Sequence, residues 1–91
     1  MKDNKTMTYA MTCLRELATQ FGDYVQVGDI ARKHDLPAAY CQKILLNLSK
    51  KGIVDSVKGM GFMLLKPIEQ LTDEELFKAL SSPKSALATR N

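Results

Sequence analysis

Apolar residues recur at helical spacing from Met7 to Phe21, where Ala10, Cys13, Leu14, Leu17, Ala18 and Phe21 fall on one face. The spacing predicts a helix over that stretch, and Gly22 stops it. Tyr24 to Val27 is short and β-prone and reads as a minor strand. Ile30, Ala31 and His34 then define a short helix from about Gly28 to His34. Asp35 to Pro37 reads as a turn, because a residue before proline avoids the helical region. Pro37 suits the first position of the next helix, which runs to about Lys51. Its apolar face is Cys41, Ile44, Leu45 and Leu48, with Tyr40 at the margin, and Gly52 ends it.

Periodicity changes after Gly52. Ile53 to Val57 and Phe62 to Leu65 read as two strands around Lys58-Gly59-Met60-Gly61, whose glycines permit the positive φ values of a tight hairpin. Thr72 to Glu75 forms a capping box that opens a last helix from about Asp73 to Leu80, with Leu76, Phe77 and Leu80 facing inward. Residues 81–91 are small and polar with one proline, and the expectation there is a flexible tail. The order of elements predicts a mainly α fold with a small β-hairpin, a winged helix-turn-helix over residues 1–80.

Composition narrows the functional classes. Ninety-one residues make one small domain with little room for a catalytic cavity. The formal net charge of +3 suits phosphate binding but does not demand it. No apolar run approaches the ~18 residues of a membrane helix. The start, MKDNKTMTY, lacks the apolar core of a signal peptide. Two separated cysteines without a CxxC pair fit a reducing, cytoplasmic setting.

The candidate chemistry lies on the third helix and the hairpin. Ala38, Ala39, Gln42, Lys43, Leu46, Asn47 and Lys50 lie off the apolar face of that helix. Glutamine and asparagine amides, lysine ammoniums and alanine methyls are groups that read base edges. A solvated helix face is the plain alternative; the turn before this helix and the hairpin after it favour the base-reading one. Lys58 at the wing can hold a phosphate or enter the minor groove. Arg32, Lys33, Lys50 and Lys51 would add sequence-independent attraction. Cys13 and Cys41 fall on apolar stripes and read as buried structural thiols, and with the single histidine they match no zinc pattern. His34 is expected to complement its helix C-terminus or face solvent. Nothing here has the spacing of an acid, base or nucleophile set, so an enzyme is not expected. Met60 and Phe62 are unusually apolar for a wing in water, and would pack on another chain or on the domain itself.

Three stretches, YAMTCLRELA, DIARKHDLPAAYCQKILLNLSKKGIV and SVKGMGFMLLKP, together resemble the BadM-like, or Rrf-two, winged-helix transcription regulators. The resemblance covers about Met7 to Leu80. It implies DNA binding through the third helix, with Ala38, Ala39 and Gln42 at the base-reading positions. Lys58 matches the family's wing arginine; a lysine keeps the charge and loses the planar fork. The chain also departs from the family. Its wing tip is about two residues shorter than the family's pattern. Where the family's cluster-ligating cysteines and long dimerisation helix would follow, this sequence has SSPKSALATRN. No iron–sulfur cluster or other cofactor therefore carries over.

The expected partner is double-stranded DNA, contacted by Ala38, Ala39, Gln42, Lys43, Asn47, Lys50 and Lys58; for assembly the sequence leaves open a homodimer through a surface it does not identify or a reduced, monomeric form. The alternative is a protein-interaction module docking through Leu46, Met60, Phe62 and Met63.

Overall fold

The computed structural model describes residues 4–80, so the expected tail at residues 81–91 lies outside the described residues. The order is α1 (Asn4–Thr19), α2 (Val27–His34), α3 (Ala38–Lys50), β1 (Val54–Val57), β2 (Gly61–Leu64), a 3-10 turn (Ile68–Gln70) and a last helix, α4, at residues 73–80.

Ala10, Cys13, Leu14 and Leu17 bury the face of α1 that their spacing marks. Cys41, Ile44, Leu45 and Leu48 meet them from α3, and Ile30 closes the cluster from α2. Three helices cross around this core, and the hairpin seals it with Ile53, Val54, Phe62 and Leu64. At the back of α3, the rings of Tyr9 and Tyr40 pack edge to face, 5.4 Å between centroids, and the Thr6 and Tyr40 hydroxyls are hydrogen-bonded.

The helix boundaries follow local chemistry. Helix α1 stops two residues before Phe21, which is 52% exposed and not part of the buried stripe. Asp35 closes α2 in the left-handed conformation (φ 56°, ψ 52°), which a short side chain able to bond its own backbone tolerates. Leu36 N–H then returns to the Ala31 carbonyl at 2.8 Å, and this makes the turn between α2 and α3. Pro37 sits one position earlier than expected: its backbone is extended (ψ 115°), and its carbonyl accepts the first helical bond from Cys41 N–H at 3.0 Å.

The hairpin is antiparallel, pairing Val54 with Leu64, Asp55 with Met63, Ser56 with Phe62 and Val57 with Gly61. Met60 N–H bonds the Val57 carbonyl at 2.9 Å across the tip, and Gly59 supplies the positive φ, 86°, at the third position of that turn. Phe62 and Leu64 point into the core while Met63 stands half-buried on the other side. The stretch from Tyr24 to Val27 is not a strand in its own right; only Val25 pairs, as an isolated bridge to Phe62.

One expectation about the last helix is corrected. Leu76, Ala79 and Leu80 are the buried positions, whereas Phe77 is 48% exposed. The capping box is present: Thr72 Oγ1 accepts the Glu75 N–H at 2.9 Å, and the Glu75 carboxyl, which also accepts from Lys66 Nζ at 2.7 Å, lies against the Thr72 backbone N–H.

Candidate nucleic-acid interface

Helix α3 buries one face and leaves the other to solvent. Ala38, Ala39, Gln42, Lys43 and Lys50 are exposed along it, as their off-stripe spacing requires. Asn47 is half-buried, so its amide offers less than the sequence pattern promised. Leu46 interrupts the polar strip and is 41% exposed.

The hairpin leans over the first half of this strip. Gln42 and Lys58 line one cleft, together with Gln26, Val27, Ser56, Val57, Gly59, Gly61 and Phe62. An amide on the helix and an ammonium on the hairpin therefore share a single concavity. Lys43 and Lys50 lie along the helix beyond it; at 1.5 Å per residue Lys50 is ~12 Å past Gln42.

What holds the hairpin there is a run of three consecutive residues. Tyr24 hydroxyl donates to Asp55 Oδ2 near the hairpin base. Val25 and Phe62 exchange backbone bonds of 2.8 and 2.9 Å at its middle. Gln26 Nε2 donates to the Gly59 carbonyl at 2.9 Å at its tip. That bond to Asp55 raises the Tyr24 pKa above the ordinary tyrosine value, because an ionised phenol could not donate it. The sequence marked these residues only as part of a short β-prone stretch, not as a clasp on the hairpin. A glutamine directly before a helix was the available signal, since that position favours serine, threonine, aspartate or asparagine.

The basic residues divide into two groups. Arg32 is bound by Asp29, and Lys33 Nζ lies 2.9 Å from Glu16 Oε2. Both cations thus have an acidic neighbour, though their side chains stay exposed. Lys43, Lys50, Lys51 and Lys58 have no carboxylate partner among the described residues. Glu16 also accepts from His34 Nε2 at 2.9 Å; an ionised carboxylate only accepts, so the ring nitrogen carries the hydrogen. His34, exposed in the last turn of α2 as expected, also ties that helix to α1.

The apolar docking surface weighed above is reduced. Phe62 is 3% exposed because it faces the core, so it is not available to a partner. Met60, 51% exposed, and Leu46 remain, with Met63 half-buried.

Cys13 and Cys41 are both buried and free, and among the described residues no group of three His, Cys, Asp or Glu side chains could hold a metal ion. Among the described residues no helix is long and apolar enough to cross a membrane.

The chain is similar to known transcriptional regulators in sequence and in fold. A protein of Aquifex aeolicus (strain VF5) that bears the name "Putative HTH-type transcriptional regulator" is 39% identical over 69 residues, which is 74% of this chain and 48% of that protein. The HTH-type transcriptional regulator IscR of Cereibacter sphaeroides is 26% identical, over 98% of this chain and 61% of its own length. The chain thus spans about half to three fifths of these relatives. Among solved structures, CymR, the global cysteine regulator of B. subtilis, superposes with a TM-score of 0.79 at 25% identity, covering 91% of this chain and 66% of that one. T. potens IscR superposes with a TM-score of 0.76 at 24% identity, over 97% of this chain and 72% of that one, a likeness of fold. The described residues do not fit the iron that the family's description implies, since their two cysteines are sealed in the core and no ligand cluster accompanies them. The model of the Rrf2 family, described as iron-dependent transcriptional regulator, matches residues 3–91, and the chain belongs to that family.

Proposed function

We propose that this chain is a cytoplasmic DNA-binding transcriptional regulator that lays α3 in the major groove and sets its hairpin on the backbone or minor groove. The observation that carries the reading is the shared cleft of Gln42 and Lys58, which sets a group able to read bases beside a group able to hold a phosphate. Ala38, Ala39 and Gln42 lead the exposed strip into the groove, and Lys43, Asn47 and Lys50 extend it. Family membership and the names of the relatives, all transcriptional regulators, support the same reading.

A second copy of the chain would place two such surfaces on a palindromic site, since operator symmetry mirrors protein symmetry. The homodimer is part of the proposal, and light scattering on the purified chain measures it directly.

The test is an anisotropy titration of the chain against labelled duplex at two salt concentrations. Binding at low salt that weakens as salt rises is the expected result, because displaced counterions return to the phosphates. No binding to any duplex at low salt would overturn the reading.

A further inference from the structure

Gln26 occupies the cap position of α2, yet its side chain makes no cap bond there. Its amide crosses 33 residues of sequence to the hairpin tip and donates to the Gly59 carbonyl at 2.9 Å. A carbonyl accepts only, so the amide must turn its NH2 toward Gly59 and its oxygen away. Gly59 follows Lys58 directly, and the bonded carbonyl lies within the turn closed by Met60 N–H and the Val57 carbonyl. Gln26, Gln42 and Lys58 all line the same cleft.

The other two ties in this run act lower on the hairpin, at Asp55 and Phe62. They tie the base and middle of the hairpin to the chain before α2, and neither bonds the turn at its tip. Gln26 is the only member of the run whose bond reaches the loop that carries Lys58. We infer that Gln26 is a positioning residue of the DNA-binding surface: its bond to the Gly59 carbonyl holds Lys58 at a fixed offset from Gln42. The inference deepens the proposed function and rests on it. The mechanism is preorganisation, in which a bond made before binding removes an ordering cost that Lys58 would otherwise meet on the phosphate backbone.

The test is a coupling cycle with Gln26→Leu, Lys58→Ala and the double variant. Gln26→Leu keeps the length of the side chain, removes its donor and adds no charge near DNA. A duplex of about 30 base pairs of arbitrary sequence suffices, since phosphate contact is sequence-independent. Gln26→Leu should weaken binding about threefold to tenfold, the size of one lost exposed hydrogen bond. In the Lys58→Ala background the same substitution should cost nothing further, because the group it positions is gone. A second readout is exchange of the Met60 amide, which Gln26→Leu should accelerate about threefold while the α3 amides stay unchanged.

Full additivity of the two losses would overturn the inference, since Gln26 would then touch DNA on its own account. Unchanged affinity or unchanged Met60 exchange would overturn it as well. Failure of the unsubstituted chain to bind any duplex would instead sink the DNA-binding reading, and the DNA role of Gln26 with it, while the exchange result still decides whether Gln26 clamps the tip.

Discussion

Val25 and Phe62 exchange a reciprocal pair of backbone hydrogen bonds, 2.8 Å and 2.9 Å, and so bring the chain before α2 hard against the second strand of the hairpin. The neighbour of Phe62 is the residue this approach constrains most. A Cβ at Gly61 would stand 2.2 Å from the Val25 carbonyl oxygen and 2.6 Å from its carbon, at φ 107°. Backbone cannot move aside as a side-chain end can. Gly61→Ala should therefore destabilise by about 2–5 kcal/mol, conformational strain and overpacking together. Gly59→Ala is the control: φ is 86° but nothing lies within 4 Å of the added Cβ, so only the strain of about 1–2 kcal/mol remains. Urea unfolding of the two variants decides it, and equal losses would show that the close approach at Val25 is absent.

Glu16 joins α1 to α2 by accepting from His34 and Lys33, each at 2.9 Å. The bond from His34, and then that from Lys33, hold its carboxyl below the ordinary value of 4.5. A depressed carboxyl stabilises the fold above its unfolded pKa and loses that contribution as pH falls through the folded one. Glu16→Gln should thus lower the urea midpoint at neutral pH, and the gap to the unsubstituted chain should close well below pH 4.5. A gap of constant size across that range would remove Glu16 from the acid-sensitive part of the fold.

Cys13 on α1 and Cys41 on α3 face each other inside the core. Burial pushes the Cys13 thiol from 9.0 up to about 12, and the neighbouring Cys41 adds to the rise. Burial likewise raises Cys41. For a raised acid the sign reverses: the neutral thiol stabilises the fold fully below pH 9.0, and that contribution is lost as pH climbs toward 12. Cys13→Ala should show a shallower loss of stability over this alkaline window than the unsubstituted chain. Thiol reagents should label neither cysteine at neutral pH until urea is added. Rapid labelling of the folded chain would contradict both expectations.

The sequence revealed elements more readily than contacts between them. The stripes of α1 and α3 and the two glycines at the hairpin tip are periodic or local signals, and they give the winged helix-turn-helix without knowledge of how its parts meet. Phe62 was left between another chain and the domain's own core because Phe62, Met63, Leu64 and Leu65 form an unbroken apolar run; alternation cannot say which face is inward, and the structure puts Phe62 in the core. Phe77 was misplaced for a similar reason, since Leu76, Phe77 and Leu80 satisfy helical spacing as well as Leu76, Ala79 and Leu80 do. The clasp of Tyr24, Val25 and Gln26 spans more than thirty residues of sequence and carries no periodic mark. Lys33 and His34 read as ordinary helix-end cations because their partner, Glu16, belongs to a different helix.

The division of labour between Gln42 and Lys58 is separable by experiment even though both line one cleft. A glutamine amide on α3 can pair bidentately with adenine, and such a pair is worth about 1–3 kcal/mol of discrimination against the wrong base. Its loss in Gln42→Ala should narrow the affinity gap between a selected site and a random duplex, while affinity for the random duplex stays near that of the unsubstituted chain. Lys58, which has no acidic partner among the described residues, offers a charge that any phosphate satisfies. Lys58→Ala should weaken binding to both duplexes alike and reduce the slope of log K against log salt by about one. The duplexes come from in vitro selection on the unsubstituted chain, and anisotropy at four salt concentrations reads affinity and slope together. Equal loss on both duplexes for Gln42→Ala would assign that amide to the backbone and move base reading to Ala38, Ala39 or Lys43. An unchanged slope for Lys58→Ala would take the hairpin off the DNA.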